Sequence, residues 1–193
     1  MSTDKEVELK AKMAKGLEFK EAGGVEFKAG NFEKGGVSPS TLEATAKHSL
    51  RQYHYALLHL RGLNDNPMAV AKSRDPENLK ESDITELEKE LSTINSNMAL
   101  CQLRLGRLNQ ITRCANAALK ANPFNKKAKF RLVQGLVREG AIIKATKLLE
   151  ELEKDSPNDP AFAAERRQIE KKEKQSDDKQ RKEFGGMFDR TKN

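Results

Sequence analysis

Four side chains with the chemistry of a carboxylate-binding site are spread over the chain: Lys20, Asn97, Lys127 and Arg131. An arginine fork and ammonium groups satisfy carboxylate oxygens with charge-assisted hydrogen bonds, and an asparagine amide adds an uncharged donor. A peptide that ends in aspartate presents two carboxylates close together. These residue types therefore suit the capture of an extended acidic C-terminal tail, provided that a scaffold brings them to one surface.

An internal repeat with an offset of 34 residues indicates that scaffold, and it runs from Ser92 to Asp159. Gly106 corresponds to Gly140, and Pro123 corresponds to Pro157. Each copy has an apolar helical run, a glycine turn, a second apolar run and a polar stop with proline. Helix–turn–helix units at this period are the signature of the tetratricopeptide repeat (TPR). The sequence therefore predicts an all-α fold, a TPR superhelix of three helix–turn–helix repeats with a long C-terminal capping helix.

Hydrophobic periodicity predicts where the helices lie. The clearest pattern is an apolar seam from Ile84 to Leu105, with spacings of three and four residues. Such a seam also suits a coiled coil, but it runs into a glycine turn after about three heptads, which favours packing within the chain. The predicted helices cover residues 4–29, 41–61, 83–105, 108–121, 125–139 and 141–154, and a last helix starts at 158–160.

The first repeat is irregular, because an insertion around Gly35-Gly36 separates its two helices. Ser40 and Glu43 predict a capping box at the start of the second helix. In the last helix, Gly185-Gly186 is predicted to end the helical run. The predicted organisation is a TPR domain at 1–165, with repeats at about 16–62, 92–125 and 126–159 and a loop at 64–82, followed by a charged helix and tail at 160–193.

Small residues inside the predicted helices are assigned structural roles. Gly23 and Gly24 fall within the first helix, where each glycine costs about 1 kcal/mol relative to alanine. One of them is explained if a small residue lets the second helix approach closely. Cys101 and Cys114 lie in helical patterns, so they are predicted to be buried apolar groups rather than a disulfide framework.

Repeat register predicts which side chains line a groove, because the first helices of stacked TPR hairpins share one concave surface. Besides Lys20, Asn97, Lys127 and Arg131, the predicted groove-lining residues are Gly24, Phe27, Lys28, Leu100, Arg104, Phe130, Gln134 and Arg138.

Charge is concentrated on the repeat pair. Residues 104–147 hold eleven basic side chains and one acid, in a chain of net charge +7. Such a field attracts an anionic partner and speeds its encounter. It leaves three alternatives open: a carboxylate tail, another acidic protein segment, and nucleic acid. The last is disfavoured because only Phe124 and Phe130 offer aromatic stacking in the block.

Several stretches resemble the TPR domains of immunophilins and other heat-shock co-chaperones. They are residues 20–31 (KEAGGVEFKAGN), residues 96–101 (SNMALC) and residues 125–131 (NKKAKFR). Within that group, residues 53–63 (YHYALLHLRGL), the stretched first repeat and the C-terminal residues 173–175 and 186–188 are most similar to the subfamily of tetratricopeptide repeat protein nine.

The resemblance implies a carboxylate clamp for the acidic C-terminus of the 90- or 70-kDa heat-shock chaperone. Lys20, Asn97, Lys127 and Arg131 match four of its five positions. The fifth, an asparagine in that group, corresponds to Gly24 here. Because a hydrogen bond to a charged group contributes about 1.5–3 kcal/mol, this departure predicts binding that is weaker, altered in specificity or absent. The implied function is a non-catalytic co-chaperone-like adaptor.

Other functions have less support in the residues. No phosphate-binding glycine loop, nucleophile elbow or pair of catalytic carboxylates is present, so neither an enzyme nor a cofactor is expected. His48, His54 and His59 do not share a helix face, which argues against zinc. The basic tail is a candidate for calmodulin, but it has few large apolar residues before Phe184. Without a membrane-spanning run or signal peptide, the expected location is the cytoplasm, and the nucleus remains open.

Overall fold

The computed structural model describes residues 2–29, 38–61, 63, 79–157 and 159–189. The described residues are mostly helical and contain no strand, which confirms the all-α class. Residues Gly35, Gly36 and Val37 of the predicted insertion at 35–40 lie outside the described residues, as does most of the loop at 64–82. The described helices are α1 (Ser2–Ala29), α2 (Pro39–Arg61), α3 (Glu86–Arg104), α4 (Leu108–Ala121), α5 (Lys126–Glu139), α6 (Ile142–Asp155) and α7 (Pro160–Asp189), with a short 3-10 turn at Glu81–Asp83.

The start of α2 differs from the predicted capping box. Ser38, rather than Ser40, caps the helix: its hydroxyl accepts from the Thr41 amide at 3.3 Å. Pro39 then occupies the first helical position, where a missing amide proton costs nothing. Glu43 is instead engaged one turn further on, where its carboxylate lies 2.6 Å from the Lys47 ammonium. The prediction was wrong because the proline allows an earlier start.

The end of α7 also differs from the prediction. The helix passes through Gly185 and Gly186 and ends at Asp189. A glycine ends a helix by adopting a left-handed conformation, but it is tolerated inside one at a cost of about 1 kcal/mol. Among the described residues, only Gly106 and Gly140 have positive φ angles.

Those two left-handed glycines form the predicted turns of the repeat, with φ angles of +66° and +84°. The Arg107 backbone amide donates to the Gln102 backbone carbonyl at 3.0 Å, and the Gly106 amide donates to the Leu103 carbonyl at 3.2 Å. This pair of hydrogen bonds is a Schellman motif. The same motif recurs at Gly140, where the bonds run from Ala141 to Leu136 at 2.9 Å and from Gly140 to Val137 at 3.3 Å. The predicted glycine turns are confirmed.

The chain divides into two compact units, Met1–Arg131 and Leu132–Asn193. In the first unit, α1 packs against α2, α2 against α3, and α3 against α4. Its core is built from large side chains of α2, α3 and α4 together with small ones, and both cysteines are buried and free, as predicted. The fully or almost fully buried members include Tyr53, Leu60, Ile94, Ala99, Cys101, Ile111, Ala115 and Ala118.

Glycines allow α1 to lie close to α2. A Cβ atom added to Gly23 would lie 2.9 Å from Cε1 of Tyr53, and one added to Gly16 would lie 2.6 Å from Cγ of Leu60. The prediction that one glycine of the pair permits close approach is therefore confirmed for Gly23. Gly16 has the same role.

In the second unit, α6 packs against α7. Phe162 and Ile169 of α7 are buried. Arg166 holds Glu153 through a two-point ion pair, with Nε to Oε1 at 2.9 Å. The Lys172 ammonium donates to the Val137 carbonyl at 2.6 Å, near the C-terminal end of α5, where a cation is favourable. None of the helices in the described ranges is long and apolar enough to cross a membrane.

Candidate functional site

Lys20, the first predicted clamp residue, is held by an acid that the sequence did not single out. Its ammonium lies 2.6 Å from the Glu90 carboxylate, and the two side chains are 25% and 18% exposed. Glu90 is on α3 and seventy residues away in sequence. Asn97 lies two helical turns further along the same face of α3. Lys20 is therefore positioned beside the helix that carries the second predicted clamp residue.

Tyr53 links Gly24 to Asn97. A Cβ atom added to Gly24 would lie 3.8 Å from the Tyr53 hydroxyl oxygen, which is an ordinary van der Waals distance. The same hydroxyl makes a hydrogen bond with the Asn97 side chain. The predicted positions on α1 and α3 are thus brought together through one tyrosine of α2.

Tyr53 is 1% exposed. Burial raises the pKa of Tyr53 to about 12, and the neighbouring Cys101 adds to the rise, while the hydrogen bond from Asn97 opposes it. A buried hydroxyl disfavours ionisation because its anion would lose the solvation of water. Tyr53 is therefore a neutral hydrogen-bonding partner that orients the Asn97 amide.

Lys127 and Arg131 lie one turn apart on α5, so they share a face. Lys127 is exposed and Arg131 is half-buried. The Arg131 guanidinium lies 5.7 Å from the centroid of the Phe130 ring, a cation–π distance. These two cations and the Lys20 and Asn97 positions all belong to the first compact unit.

Asn125 fixes the start of α5 relative to α3. The side-chain oxygen Oδ1 of Asn125 accepts a hydrogen bond from the Ala128 backbone amide at 3.1 Å, as the side chain of an N-cap residue does. Its amide group donates to the Ser92 hydroxyl at 2.8 Å, and Ser92 is fully buried. Lys127 follows two residues later, so its position is tied to α3. The repeat offered a signal for this cap, because Asn125 corresponds to Asp159, which caps α7 through the Ala161 amide at 2.9 Å.

The remaining groove-lining predictions fall into two groups. In the first unit, Lys28 and Arg104 are exposed, whereas Gly24, Phe27, Leu100 and Phe130 are half-buried. In the second unit, Gln134 and Arg138 each lie 3.4 Å from the Glu165 carboxylate of α7. Glu165 is 5% exposed, so the C-terminal helix supplies the buried acid that these two side chains contact.

A metal site receives no support from the part of the chain that the structure describes, since no cluster of three or more metal-binding side chains occurs there. The arrangement in the first unit offers instead a set of hydrogen-bond donors and cations on α1, α3 and α5. Such a set can bind carboxylates. Tyr53, Glu90 and Asn125 are the residues that position it and that sequence reasoning did not identify.

Comparison with models of protein families finds no match, and comparison with curated proteins finds none either.

Proposed function

We propose that the chain is a non-catalytic, TPR-type adaptor that binds the acidic C-terminal peptide of a heat-shock chaperone of the 90- or 70-kDa class. The observation that supports this most is the meeting of Lys20, Gly24 and Asn97 around Tyr53 and Glu90. Register in a TPR superhelix predicts that α1 and α3 present these positions side by side. A fold without that register would have no reason to bring them together.

In this proposal the three cations and the Asn97 side-chain amide together bind two carboxylates of the peptide. Lys127 and Arg131, one turn apart on α5, bind the side-chain and terminal carboxylates of the last residue. Asn97 donates a further hydrogen bond, oriented by Tyr53. Lys20 neutralises the charge that remains. The net basic character of residues 104–147 draws the acidic tail toward the site.

The Lys20 ammonium is already paired with the Glu90 carboxylate. A ligand carboxylate must replace Glu90 at the ammonium, and the exchange returns little free energy because the pair is already formed. Gly24 has no side-chain amide at the fifth position of the clamp, although the space beside Tyr53 would hold a side chain. Both features predict modest affinity, which other contacts with the peptide would have to raise.

Calorimetric titration with a peptide ending in Glu-Glu-Val-Asp tests the proposal. We expect saturable binding that is lost when the peptide carries a C-terminal amide and when Lys127→Ala and Arg131→Ala are combined. A double variant of the exposed residues, Lys120→Ala with Lys144→Ala, removes the same charge elsewhere and should bind as the wild type does. No heat at high peptide concentration, or equal affinity in the Lys127 and Arg131 variant, contradicts the proposal.

Two further variants test the details of the site. Glu90→Gln frees Lys20, so affinity for the same peptide should rise several-fold, while Glu86→Gln, near the start of the same helix, should leave it unchanged. Gly24→Asn restores an amide where a Cβ atom has room, and it should strengthen binding by roughly 1.5 kcal/mol. Weaker binding by Glu90→Gln would show that Glu90 supports the site rather than competing for it.

A further inference from the structure

A second candidate site lies on the first unit, apart from the residues of the peptide proposal. It is a cavity of about 350 Å³ between α2, α3 and α4. Its volume falls within the range of small-molecule pockets, which run from about 300 to 1,000 Å³ and combine apolar walls with a few polar groups. None of Lys20, Asn97, Lys127 and Arg131 lines it.

Two arginines on different helices face this cavity. Arg61 comes from the last turn of α2, and Arg113 comes from the middle of α4. Their charges both lower the pKa of the Cys114 thiol, against the larger, raising effect of burial, so both guanidinium groups lie near that one residue. Cys114 also lines the cavity, so both arginines and the thiol that their charges influence line the same cavity.

These arginines differ from others in the protein in what surrounds them. Arg138 and Arg166 lie against carboxylates of α7 and α6. For Arg61 and Arg113, no carboxylate of the described residues lies within ion-pair distance, and none is among the described residues that line the cavity. Both side chains are exposed, so an anion in solution can reach either guanidinium group.

Gln102 adds an unsatisfied polar group to the wall. It is 5% exposed, and its Oε1 atom has no hydrogen-bond partner among the described residues. A buried acceptor without a partner costs about 1–3 kcal/mol. Rotation of the terminal amide toward the cavity would let Gln102 bond with a polar group of a bound molecule.

Apolar side chains form a further part of the wall, which also contains the polar side chains of His54, Asn95 and Gln110. Leu57 and Met98, which are 5% and 4% exposed, line it together with the half-buried Ala117. Leu58, which is 72% exposed, lies where the cavity meets solvent. The cavity therefore combines a cationic part with an apolar part, and a molecule that matches both must be charged at one end only.

We propose that this cavity binds a small amphiphilic oxyanion, with its head group between Arg61 and Arg113 and a short apolar chain against Leu57, Met98 and Ala117. Guanidinium groups suit carboxylate and phosphate monoester heads alike, because both offer oxygens for paired hydrogen bonds. The size of the cavity favours a free small molecule over a protein surface. This site is independent of the peptide proposal, and binding at one does not require the other.

Calorimetric titration with octanoate, octyl phosphate and octanol tests the proposal, each used below the concentration at which it aggregates. At least one of the two anions should bind ten-fold more tightly than octanol, and the tighter anion identifies the head group. Arg61→Gln with Arg113→Gln should reduce anion binding at least ten-fold. Both arginines are exposed, so the fold should be retained, which circular dichroism checks. Arg51→Gln, on an exposed part of α2 outside the cavity, is the matched control and should bind normally.

Two additional measurements test the apolar contact and the independence of this site from the peptide site. Leu58→Ser should weaken the anions and octanol to a similar extent, since it alters only the apolar contact. Saturation with the Glu-Glu-Val-Asp peptide should leave anion affinity unchanged. Equal affinity for octanol and both anions overturns the proposal, as does unchanged anion binding in the Arg61 and Arg113 variant. So does binding only of a capped acidic peptide such as acetyl-Leu-Glu-Glu-Leu-amide, which would indicate a protein partner.

Discussion

The hairpins α1–α2 and α3–α4 achieve close helix packing in different ways. In the first, large side chains of α2 meet glycines of α1: Leu60 faces Gly16, and Tyr53 faces Gly23. In the second, alanines and cysteines on both helices are buried, and a single left-handed glycine, Gly106, makes the connection short. Close packing of α1 against α2 depends on the lack of a side chain at Gly16 and Gly23. Close packing of α3 against α4 depends instead on contacts among many small buried side chains.

This difference predicts opposite sensitivities. Adding one carbon should damage α1–α2 where a glycine meets a buried side chain, because interiors pack too densely to absorb it. Removing carbons should damage α3–α4, because truncating a buried side chain leaves a cavity that the surrounding structure fills only in part.

Ile111→Ala should have the largest effect. Ile111 is fully buried on α4, and truncating such a residue costs about 2–5 kcal/mol, through lost burial and the cavity left behind. We expect about 3 kcal/mol in the free energy of unfolding, measured by urea denaturation. Leu108→Ala on the same helix, at a side chain 39% exposed, is the control and should cost less than 1 kcal/mol. Equal losses at both positions would contradict a tightly packed second hairpin.

Tyr53 predicts a loss of stability at high pH that belongs to the first hairpin. Its pKa is about 12 in the folded protein and near 10 when unfolded, so between these values only the unfolded state releases the proton. The contribution of Tyr53 to the free energy of unfolding is therefore fully present below pH 10 and is lost as the pH rises to 12. The loss should be on the order of 2 kcal/mol.

The variant Tyr53→Phe isolates this effect, because it removes the ionisable group but keeps the ring. Burial also raises the pKa of Cys101 to about 12, and that contribution, from the second hairpin, persists in the variant. Guanidinium denaturation at a series of pH values from 9 to 12 should show a steeper fall for the wild type. Parallel curves would mean that Tyr53 ionises normally in the folded state.

Gly16→Ala should destabilise the first hairpin by roughly 2 kcal/mol. The added Cβ atom would lie 2.6 Å from Leu60, which is fully buried, and so short a contact predicts a cost at the upper end of the usual overpacking range, about 3 kcal/mol. The gain in helix propensity, about 1 kcal/mol, offsets only part of this. Thermal unfolding of the purified variant measures the net effect.

A double-mutant cycle with Leu60→Ala makes the mechanism specific. In the Leu60→Ala background the clash is removed, so Gly16→Ala should become stabilising by up to about 1 kcal/mol through helix propensity. If the alanine at position 16 destabilises both backgrounds equally, Leu60 is not the cause.

Gly106→Ala should have the smallest effect, about 1 kcal/mol. The position has a φ angle of +66°, which disfavours a side chain, but no atom lies within 4 Å of an added Cβ. The cost is therefore one of backbone conformation, without overpacking. Gly106→Asn, a residue that tolerates left-handed geometry better, should recover part of the stability in the same unfolding measurement. A loss as large as that of Gly16→Ala would indicate a packing role that the structure does not show.

The helices and turns were predictable because local signals agreed. The apolar seam placed α3 to within three residues, and the repeated glycines marked both Schellman turns. Prediction failed where two local options competed. Proline at 39 allowed α2 to start early, and Gly185-Gly186 remained helical because neither glycine adopted the left-handed conformation needed for a stop.

The candidate site was predictable only in part. Repeat register predicts that Lys20, Asn97, Lys127 and Arg131 share one surface, because an offset of 34 residues relates equivalent positions. It could not identify Glu90, since an acid on a helix face has the same pattern whether it binds water or a lysine. Nor could it identify Tyr53, whose periodicity indicates only a core residue.

By itself, the sequence determined the helical class and the glycine turns, and it predicts the positions that would bind a carboxylate, because spacing along a helix dictates which residues share a face. Tertiary structure alone decided the state of those residues. It paired Lys20 with Glu90, placed the Tyr53 hydroxyl between Gly24 and Asn97, and left Arg61 and Arg113 together on one cavity. These outcomes depend on distances between helices, and such distances follow from how side chains of different helices fill the space between them.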